Sequence, residues 1–120
     1  MGIDWGEKRI GLSLGDSLTK TATPFKVVNN QEEIIKIIEE EEIDVVVVGQ
    51  PLKMSGSGQL SADFLLFLET LKVKLNVPVE IIDERLSSKA ADSLIGDKKT
   101  KAPRDAVAAM LILQSYFDRI

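Results

Sequence analysis

The sequence contains no cysteine and no histidine. Without cysteine, disulfide bonds, zinc–thiolate sites and cysteine nucleophiles are all excluded. Without histidine, the Ser-His-Asp triad, the HExxH metalloprotease motif and a histidine general base are excluded as well. Any chemistry must therefore come from carboxylates, Lys, Arg, Ser, Thr, Tyr or a bound metal ion.

Long apolar runs and an excess of positive charge are also missing. The longest aliphatic block in a strand context, Val45 to Val48, is too short to span a bilayer. Met1 is followed by neither a basic nor an apolar leader segment. We therefore expect a cytoplasmic protein with no membrane partner. The formal net charge of −4 argues against a basic protein that coats nucleic acid, although it allows a local basic patch.

The rest of the composition is that of one ordinary globular domain. The chain has 120 residues, of which 44% are hydrophobic and 28% are charged. A chain of this length can bury one hydrophobic core without covalent cross-links. We therefore expect a single domain that spans residues 1–120.

The hydrophobic pattern predicts an α/β fold built on a mixed sheet. Three strands come first, and Pro24 restricts the third of them to a sheet edge. Helices and strands alternate afterwards, which gives parallel strands covered by helices on both faces. The predicted strands are Ile3–Trp5, Arg9–Gly15, Thr21–Val28, Ile43–Gly49 and Val77–Asp83. The predicted helices are one capped by Asn29 or Asn30 and ending near Glu42, one carrying Phe64 to Leu75, a short one from Ser87 or Ser88 to Ile95, and a last one with Pro103 in its first position that ends near Phe117. Two loops are predicted, at Pro51–Gln59 and at Gly96–Lys101, and the second is polar.

Three carboxylates are placed to meet at one end of this sheet. Asp4 lies at the first strand, Glu84 ends the last strand, and Asp105 lies in the first turn of the last helix. Ala108 and Ala109 are small enough to let that helix approach the strands closely. Converging acids repel each other unless a cation neutralises them, and their oxygen atoms suit Mg²⁺ or Mn²⁺. Two such ions about 4 Å apart can activate a water and stabilise the leaving oxygen of a phosphodiester.

Each acid taken singly has a structural explanation. Asp4 can cap a turn, and Glu84 can pair with Arg85. Asp105 can stabilise the positive end of its helix. Asp83 competes with Glu84, because adjacent strand residues point to opposite faces and we expect only one of the two to serve the site. The metal site is therefore predicted from the three acids in this topology together.

Basic residues next to the proposed ligands are candidates for binding phosphate groups. Cations beside a metal site can position the strand that is to be cut. For Lys98 and Lys99 a solvated loop chosen for solubility is an equally good explanation, whereas Arg9 and Arg85 each lie beside a proposed ligand. The predicted nucleic-acid-binding residues are Lys8, Arg9, Arg85, Lys98, Lys99, Lys101 and Arg104.

Four sequence blocks resemble one known family. They read GIDWGEKRIG at 2–11, VGQPLKMSG at 48–56, DERLSS at 83–88, and DAVAA at 105–109 followed by ILQSY at 112–116. In this order they resemble the YqgF family of pre-16S rRNA nucleases, also described as Holliday junction resolvases. The blocks cover nearly the whole chain, and each is weak alone but specific in combination. The first strand and the segment Leu94 to Arg104 are shorter than in the family pattern.

The resemblance implies a ribonuclease-H-like, three-layer fold with a mixed five-stranded sheet flanked by helices. It implies that Asp4, Glu84 and Asp105 form the acidic triad of a divalent-metal-dependent nuclease. On this interpretation Asp4 bridges two Mg²⁺ or Mn²⁺ ions and water is the attacking group. The resemblance further implies a cytoplasmic role in maturing the 5′ end of pre-16S rRNA, with the ribosome as a partner.

Three other functions stay open at this point. A resolvase of four-way DNA junctions would use the same metal chemistry, and symmetrical cutting would favour a homodimer over a monomer. A non-catalytic RNA- or ribosome-binding module is disfavoured, because a pure binder gains nothing from three converging negative charges near phosphate. An actin-like or sugar-kinase-like ATPase shares the Gly-Ile-Asp-x-Gly hairpin, but it needs two lobes and 120 residues supply one.

Overall fold

The computed structural model describes residues 1–50, 62–83 and 103–119. These residues contain five strands and three helices. The predicted loops at Pro51–Gln59 and Gly96–Lys101 and the predicted short helix ending at Ile95 lie outside these residues. In chain order the elements are β1 (Gly2–Asp4), β2 (Ile10–Asp16), β3 (Thr21–Val28), α1 (Gln31–Glu40), β4 (Val46–Gln50), α2 (Ala62–Lys74), β5 (Val79–Asp83) and α3 (Arg104–Arg119).

The strands form one mixed sheet in the order β3-β2-β1-β4-β5. β1, β2 and β3 pair antiparallel, whereas β1 and β4, and β4 and β5, pair parallel. This confirms the predicted mixed five-stranded sheet, with β3 and its Pro24 at an edge as expected. Proline has no N–H to donate to a second neighbour, so an edge strand accommodates it.

Helices cover both faces of the sheet. Val46 and Val48 of β4 face the cluster that contains α1 and α2, whereas Val47 faces the cluster that contains α3. All three valines are fully buried, as expected for a central parallel strand. The strand begins at Val46 and not at Ile43 as predicted. Glu42 adopts a left-handed conformation with a φ of 53°, so the chain is still turning out of α1 at that point.

Helix α1 has the predicted cap, and its apolar residues form one stripe. The Asn30 side chain accepts a 3.0 Å hydrogen bond from the Glu33 backbone N–H, and this bond satisfies one of the N–H groups at the helix start. The three isoleucines of the stripe are buried: Ile34, Ile37 and Ile38. The helix ends at Glu40, two residues earlier than predicted.

Helix α3 begins at Arg104, so the prediction that Pro103 occupies the first helical position is wrong by one residue. Pro103 is the residue before the helix, and its carbonyl accepts hydrogen bonds from the N–H groups of Ala106 and Val107, both at 3.0 Å.

No helix among the described residues is long and apolar enough to cross a membrane.

The aromatic residues next to the sheet are packing residues. Trp5, which directly follows β1, packs on two rings of α2, with its ring centre 5.5 Å from that of Phe64 and 6.2 Å from that of Phe67. Phe64, Phe67 and Phe117 are buried, and Tyr116 is half-buried against the α3 side of the sheet. The end of β1 is therefore held from one side by α2.

Candidate metal centre

Asp4 is the last residue of β1, the central strand of the sheet. Ile3 is fully buried in the core on the α1 and α2 side. Because successive strand residues face opposite sides of a sheet, Asp4 lies on the α3 side. Its side chain is half-buried there, at the carboxyl end of the strand. A carboxylate in this position can contact both solvent and any group that α3 brings to the sheet.

Helix α3 brings Asp105 to the strand beside Asp4. Gly11 of β2 is the cross-strand partner of Asp4. The backbone of the first turn of α3 lies directly on Gly11, because a Cβ atom at this position would collide with the Asp105 carbonyl group and lie 2.9 Å from the Ala106 nitrogen. The structure therefore places the backbone of Asp105, at the start of α3, over the strand residue that pairs with Asp4.

Arg9 adds a positive charge to this pair. Its Nε atom lies 3.4 Å from Oδ2 of Asp105, with 72% of the Arg9 side chain and 29% of the Asp105 side chain exposed. An ion pair this open to solvent contributes little to folding stability. Its importance is local, since it holds a guanidinium group next to Asp105. Lys8 and Arg104 are also exposed; Lys8 lies in the β1–β2 turn next to Arg9, and Arg104 is the first residue of α3, next to Asp105.

The third predicted ligand and four of the predicted basic residues lie outside the described residues: Glu84, Arg85, Lys98, Lys99 and Lys101. Within residues 1–50, 62–83 and 103–119, no group of three acidic side chains gathers in a way that could hold a metal ion. The described part of β5 ends at Asp83, whose register partner is Gln50 at the end of β4. The parallel strands β1, β4 and β5 thus all end on the same side of the sheet, which is its carboxyl edge.

The donor set at this edge fits a hard divalent cation. Two carboxylates on neighbouring elements supply oxygen atoms, which Mg²⁺ and Mn²⁺ prefer. Asp105 already has a cation, Arg9, beside it. Asp4 and Asp105 are the described residues that would hold the ion.

Sequence reasoning missed Gly11 and Ser13, which set how α3 sits on the sheet. Ser13 is fully buried, and its hydroxyl donates a 2.7 Å hydrogen bond to the Ala109 carbonyl of α3. The signal was present in β2, where small residues at 11, 13 and 15 alternate with Ile10, Leu12 and Leu14. A strand with one face made only of small residues indicates close approach of another backbone.

Comparison with known proteins finds similar sequences over nearly the whole chain. Residues 1–119 match the model of a family described as "RuvX: Holliday junction resolvase". The chain is 36% identical to the "Putative pre-16S rRNA nuclease" of Natranaerobius thermophilus, over 99% of this chain and 93% of that protein. It is 40% identical to the protein of the same description from Shewanella oneidensis, over 98% of this chain and 92% of that protein.

Two solved structures share the fold. T. thermophilus RuvC in complex with a Holliday junction substrate superposes with a TM-score of 0.65 at 16% sequence identity, over 98% of this chain and 92% of that chain. The Fowlpox virus resolvase in its complex with Holliday junction DNA gives a TM-score of 0.58 at 14% identity, over 98% and 95%. The predicted ribonuclease-H-like fold is thereby confirmed.

Proposed function

The chain belongs to the RuvX family, also called YqgF, and we propose that it is a divalent-metal-dependent nuclease that processes the 5′ end of pre-16S rRNA. The observation that carries the proposal is the position of the Asp105 backbone on Gly11, the cross-strand partner of Asp4, at the carboxyl end of the central strand. The full-length likeness to proteins described as pre-16S rRNA nucleases supports the choice of substrate. Such an enzyme would work in the cytoplasm on a ribosomal precursor.

The proposed ligands are Asp4, Asp105 and Glu84. The first two enter it because the first turn of α3, which carries Asp105, lies on the strand residue that pairs with Asp4. Glu84 enters the proposal from the sequence: it directly follows β5 and comes two residues after Ile82, which faces α3. When bound, one or two Mg²⁺ or Mn²⁺ ions would activate water and stabilise the leaving oxygen of the phosphodiester. With no histidine in the chain, no imidazole is available as a general base.

The basic residues would bind the sugar–phosphate backbone. Arg9 is the best-supported of them, because its guanidinium group lies beside Asp105 and most of its side chain is exposed. Lys8 and Arg104 extend the same positive region. Contacts of this kind fix the position of the strand without reading its sequence. The sequence adds Arg85, Lys98, Lys99 and Lys101 to this set.

We expect Arg9→Ala to weaken RNA binding in a salt-dependent way. Loss of one phosphate contact should reduce the slope of log affinity against log salt concentration by about 0.7 to 1. The measurement is fluorescence anisotropy of a short single-stranded RNA over a range of salt concentrations. Lys36→Ala is the matched control, since Lys36 is an exposed cation that pairs with Glu40 on α1. An unchanged slope for Arg9→Ala would remove Arg9 from the nucleic-acid-binding residues.

A four-way DNA junction is the second candidate substrate. The description of the matched family and the fold shared with RuvC favour it. Symmetrical cutting of a junction calls for two copies of the chain, whereas one cut at an rRNA end calls for one. The active-site acids would be the same for both substrates, so the residues alone do not choose between them.

The deciding experiment offers both substrates to the same preparation. Labelled precursor small-subunit rRNA and a synthetic four-way junction are each incubated with Mg²⁺, with Mn²⁺ and with a chelator. We expect cutting of the rRNA in either metal and none in chelator. Cutting of the junction alone would move the function to DNA recombination. If both substrates stayed intact while RNA was still bound, the chain would be either a binding module or an enzyme that needs the ribosome as a scaffold.

A further inference from the structure

Three glycines on one face of the sheet contact helix α3. Gly2, Gly11 and Gly15 all lie where a Cβ atom would run into this helix. At Gly2 the Cβ atom would lie 2.5 Å from the Ala109 carbonyl oxygen, and at Gly15 it would lie 2.7 Å from the Phe117 ring. At Gly11 it would collide with the carbonyl group of Asp105 itself. Of these three contacts, the one at Gly11 involves a proposed metal ligand.

The requirement for glycine at position 11 comes from the helix and not from the strand. Gly11 lies within β2 and pairs regularly with Asp4 on one side and with Val27 on the other. A glycine inside a strand weakens it, and its presence there indicates close approach of another backbone. The approaching backbone is the first turn of α3.

The size of the effect follows from packing distances. Non-bonded carbon atoms pack at about 3.5 to 4.0 Å, so a methyl group at Gly11 must push the first turn of α3 away by more than about 1 Å. A backbone carbonyl cannot rotate out of the way as a flexible side chain would. Metal–ligand distances are held to within about 0.2 Å. The displacement of Asp105 relative to Asp4 would therefore exceed what a shared divalent ion tolerates.

We propose that Gly11 is a positioning residue whose missing side chain sets the spacing of Asp4 and Asp105 and thereby the affinity for the divalent ion. This inference rests on the proposed function, since it concerns the same two carboxylates. Gly11 acts through Asp105 and touches neither substrate nor metal. Gly2 and Gly15 have a different role, because they allow α3 to pack closely further along the sheet.

The test compares Gly11→Ala with Gly15→Ala in the full chain. Mn²⁺ binding is measured by titration calorimetry without substrate, and thermal unfolding is measured in the absence of metal. We expect both variants to unfold at a lower temperature, because each crowds α3. Gly11→Ala should bind Mn²⁺ about 10- to 100-fold more weakly, as is usual when a residue that orients a ligand is changed. Gly15→Ala should keep the wild-type affinity to within about twofold.

A suppressor variant distinguishes positioning from general damage. In the Gly11→Ala background, Asp105→Glu lengthens the carboxylate side chain by one methylene group and should restore part of the lost Mn²⁺ affinity. The same change in the wild-type background should weaken binding, because the longer side chain then reaches too far. This opposite response is the coupling that a double-mutant cycle measures. If Gly11→Ala does not fold, the loss of Mn²⁺ affinity in Asp105→Glu alone remains the test, and unchanged affinity overturns the inference.

Asp4→Asn separates failure of this inference from failure of the proposed function. If wild-type Mn²⁺ binding is lost in Asp4→Asn but retained in Gly11→Ala, the inference on Gly11 is overturned and the proposed site stands. Equal losses in Gly11→Ala and Gly15→Ala would also overturn it. If Mn²⁺ binding is the same in Asp4→Asn as in the wild type, the proposed metal site itself is wrong.

Discussion

Asp4→Asn is expected to lower the rate of RNA cutting in Mg²⁺ by at least about 10³-fold. The substitution replaces the charged carboxylate of a proposed metal ligand with a neutral amide of almost the same shape. A bound divalent ion contributes several kcal/mol to stabilising the transition state, and each 1.36 kcal/mol lost costs about tenfold in rate. Because Asp4 is half-buried at the end of β1, its replacement leaves the strand pairing with Gly11 in place.

The measurement is the single-turnover rate of cutting, with thermal unfolding followed on the same preparation. Asp44→Asn is the matched control. It removes one exposed carboxylate just before β4, at the amino end of the parallel strands and therefore at the opposite edge of the sheet from Asp4. The control should cut RNA at the wild-type rate. An Asp4→Asn variant that cuts normally would show that the site has been assigned to the wrong residues.

The fold could be predicted from the sequence where the pattern is local. Pro24 restricted β3 to an edge, and the run of valines that ends at Val48 identified a strand buried on both faces. The cap at Asn30 depends on a residue three positions away, Glu33. Each of these signals lies within a few residues of the element that it defines. These signals can therefore be recognised without knowledge of the tertiary structure.

The errors in element boundaries have physical causes that composition does not show. Ile43 has the apolar side chain of a strand residue, but the left-handed turn at Glu42 delays the strand until Val46. Pro103 suits the first position of a helix, yet here its carbonyl accepts the first helical hydrogen bonds and the helix begins one residue later. In both cases the backbone path into the element decides the boundary.

The candidate site could be predicted in part. Asp4 and Asp105 were selected because their elements were expected to meet, and the structure packs the first turn of α3 on the strand residue that pairs with Asp4. Asp105 contacts Gly11 and forms an ion pair with Arg9. Both contacts depend on the packing distance between α3 and β2. That distance is set by tertiary packing of distant segments, so no local pattern contains it. Glu84 stays a prediction from the sequence.

Phe64→Ala is expected to destabilise the protein by about 3 to 5 kcal/mol, the usual cost of truncating a buried aromatic side chain. Phe64 is fully buried, and its ring packs against Trp5 and the core beneath α1 and α2. A domain of this kind is stable by about 5 to 15 kcal/mol in total. The substitution should therefore remove a large part of the free energy of unfolding.

Urea unfolding at 25 °C measures this effect, with Leu66→Ala as the matched control. Leu66 lies two residues further along α2 and its side chain is 63% exposed, so its truncation should change the stability by less than about 0.5 kcal/mol. Trp5 is the single tryptophan, and its fluorescence reports directly on the packing that Phe64 provides. Similar losses in both variants would contradict the assignment of Phe64 to the core.

The effects of Phe64→Ala and Asp4→Asn should be opposite in kind. Phe64 packs on the α1 and α2 face of the sheet, whereas Asp4 lies on the α3 face of the same sheet. A cavity behind Trp5 lowers the fraction of folded molecules but leaves the contact between Gly11 and Asp105 intact. The cutting rate per folded Phe64→Ala molecule should thus stay within a few-fold of the wild type. A much larger loss would mean that packing behind the sheet also sets the position of Asp4.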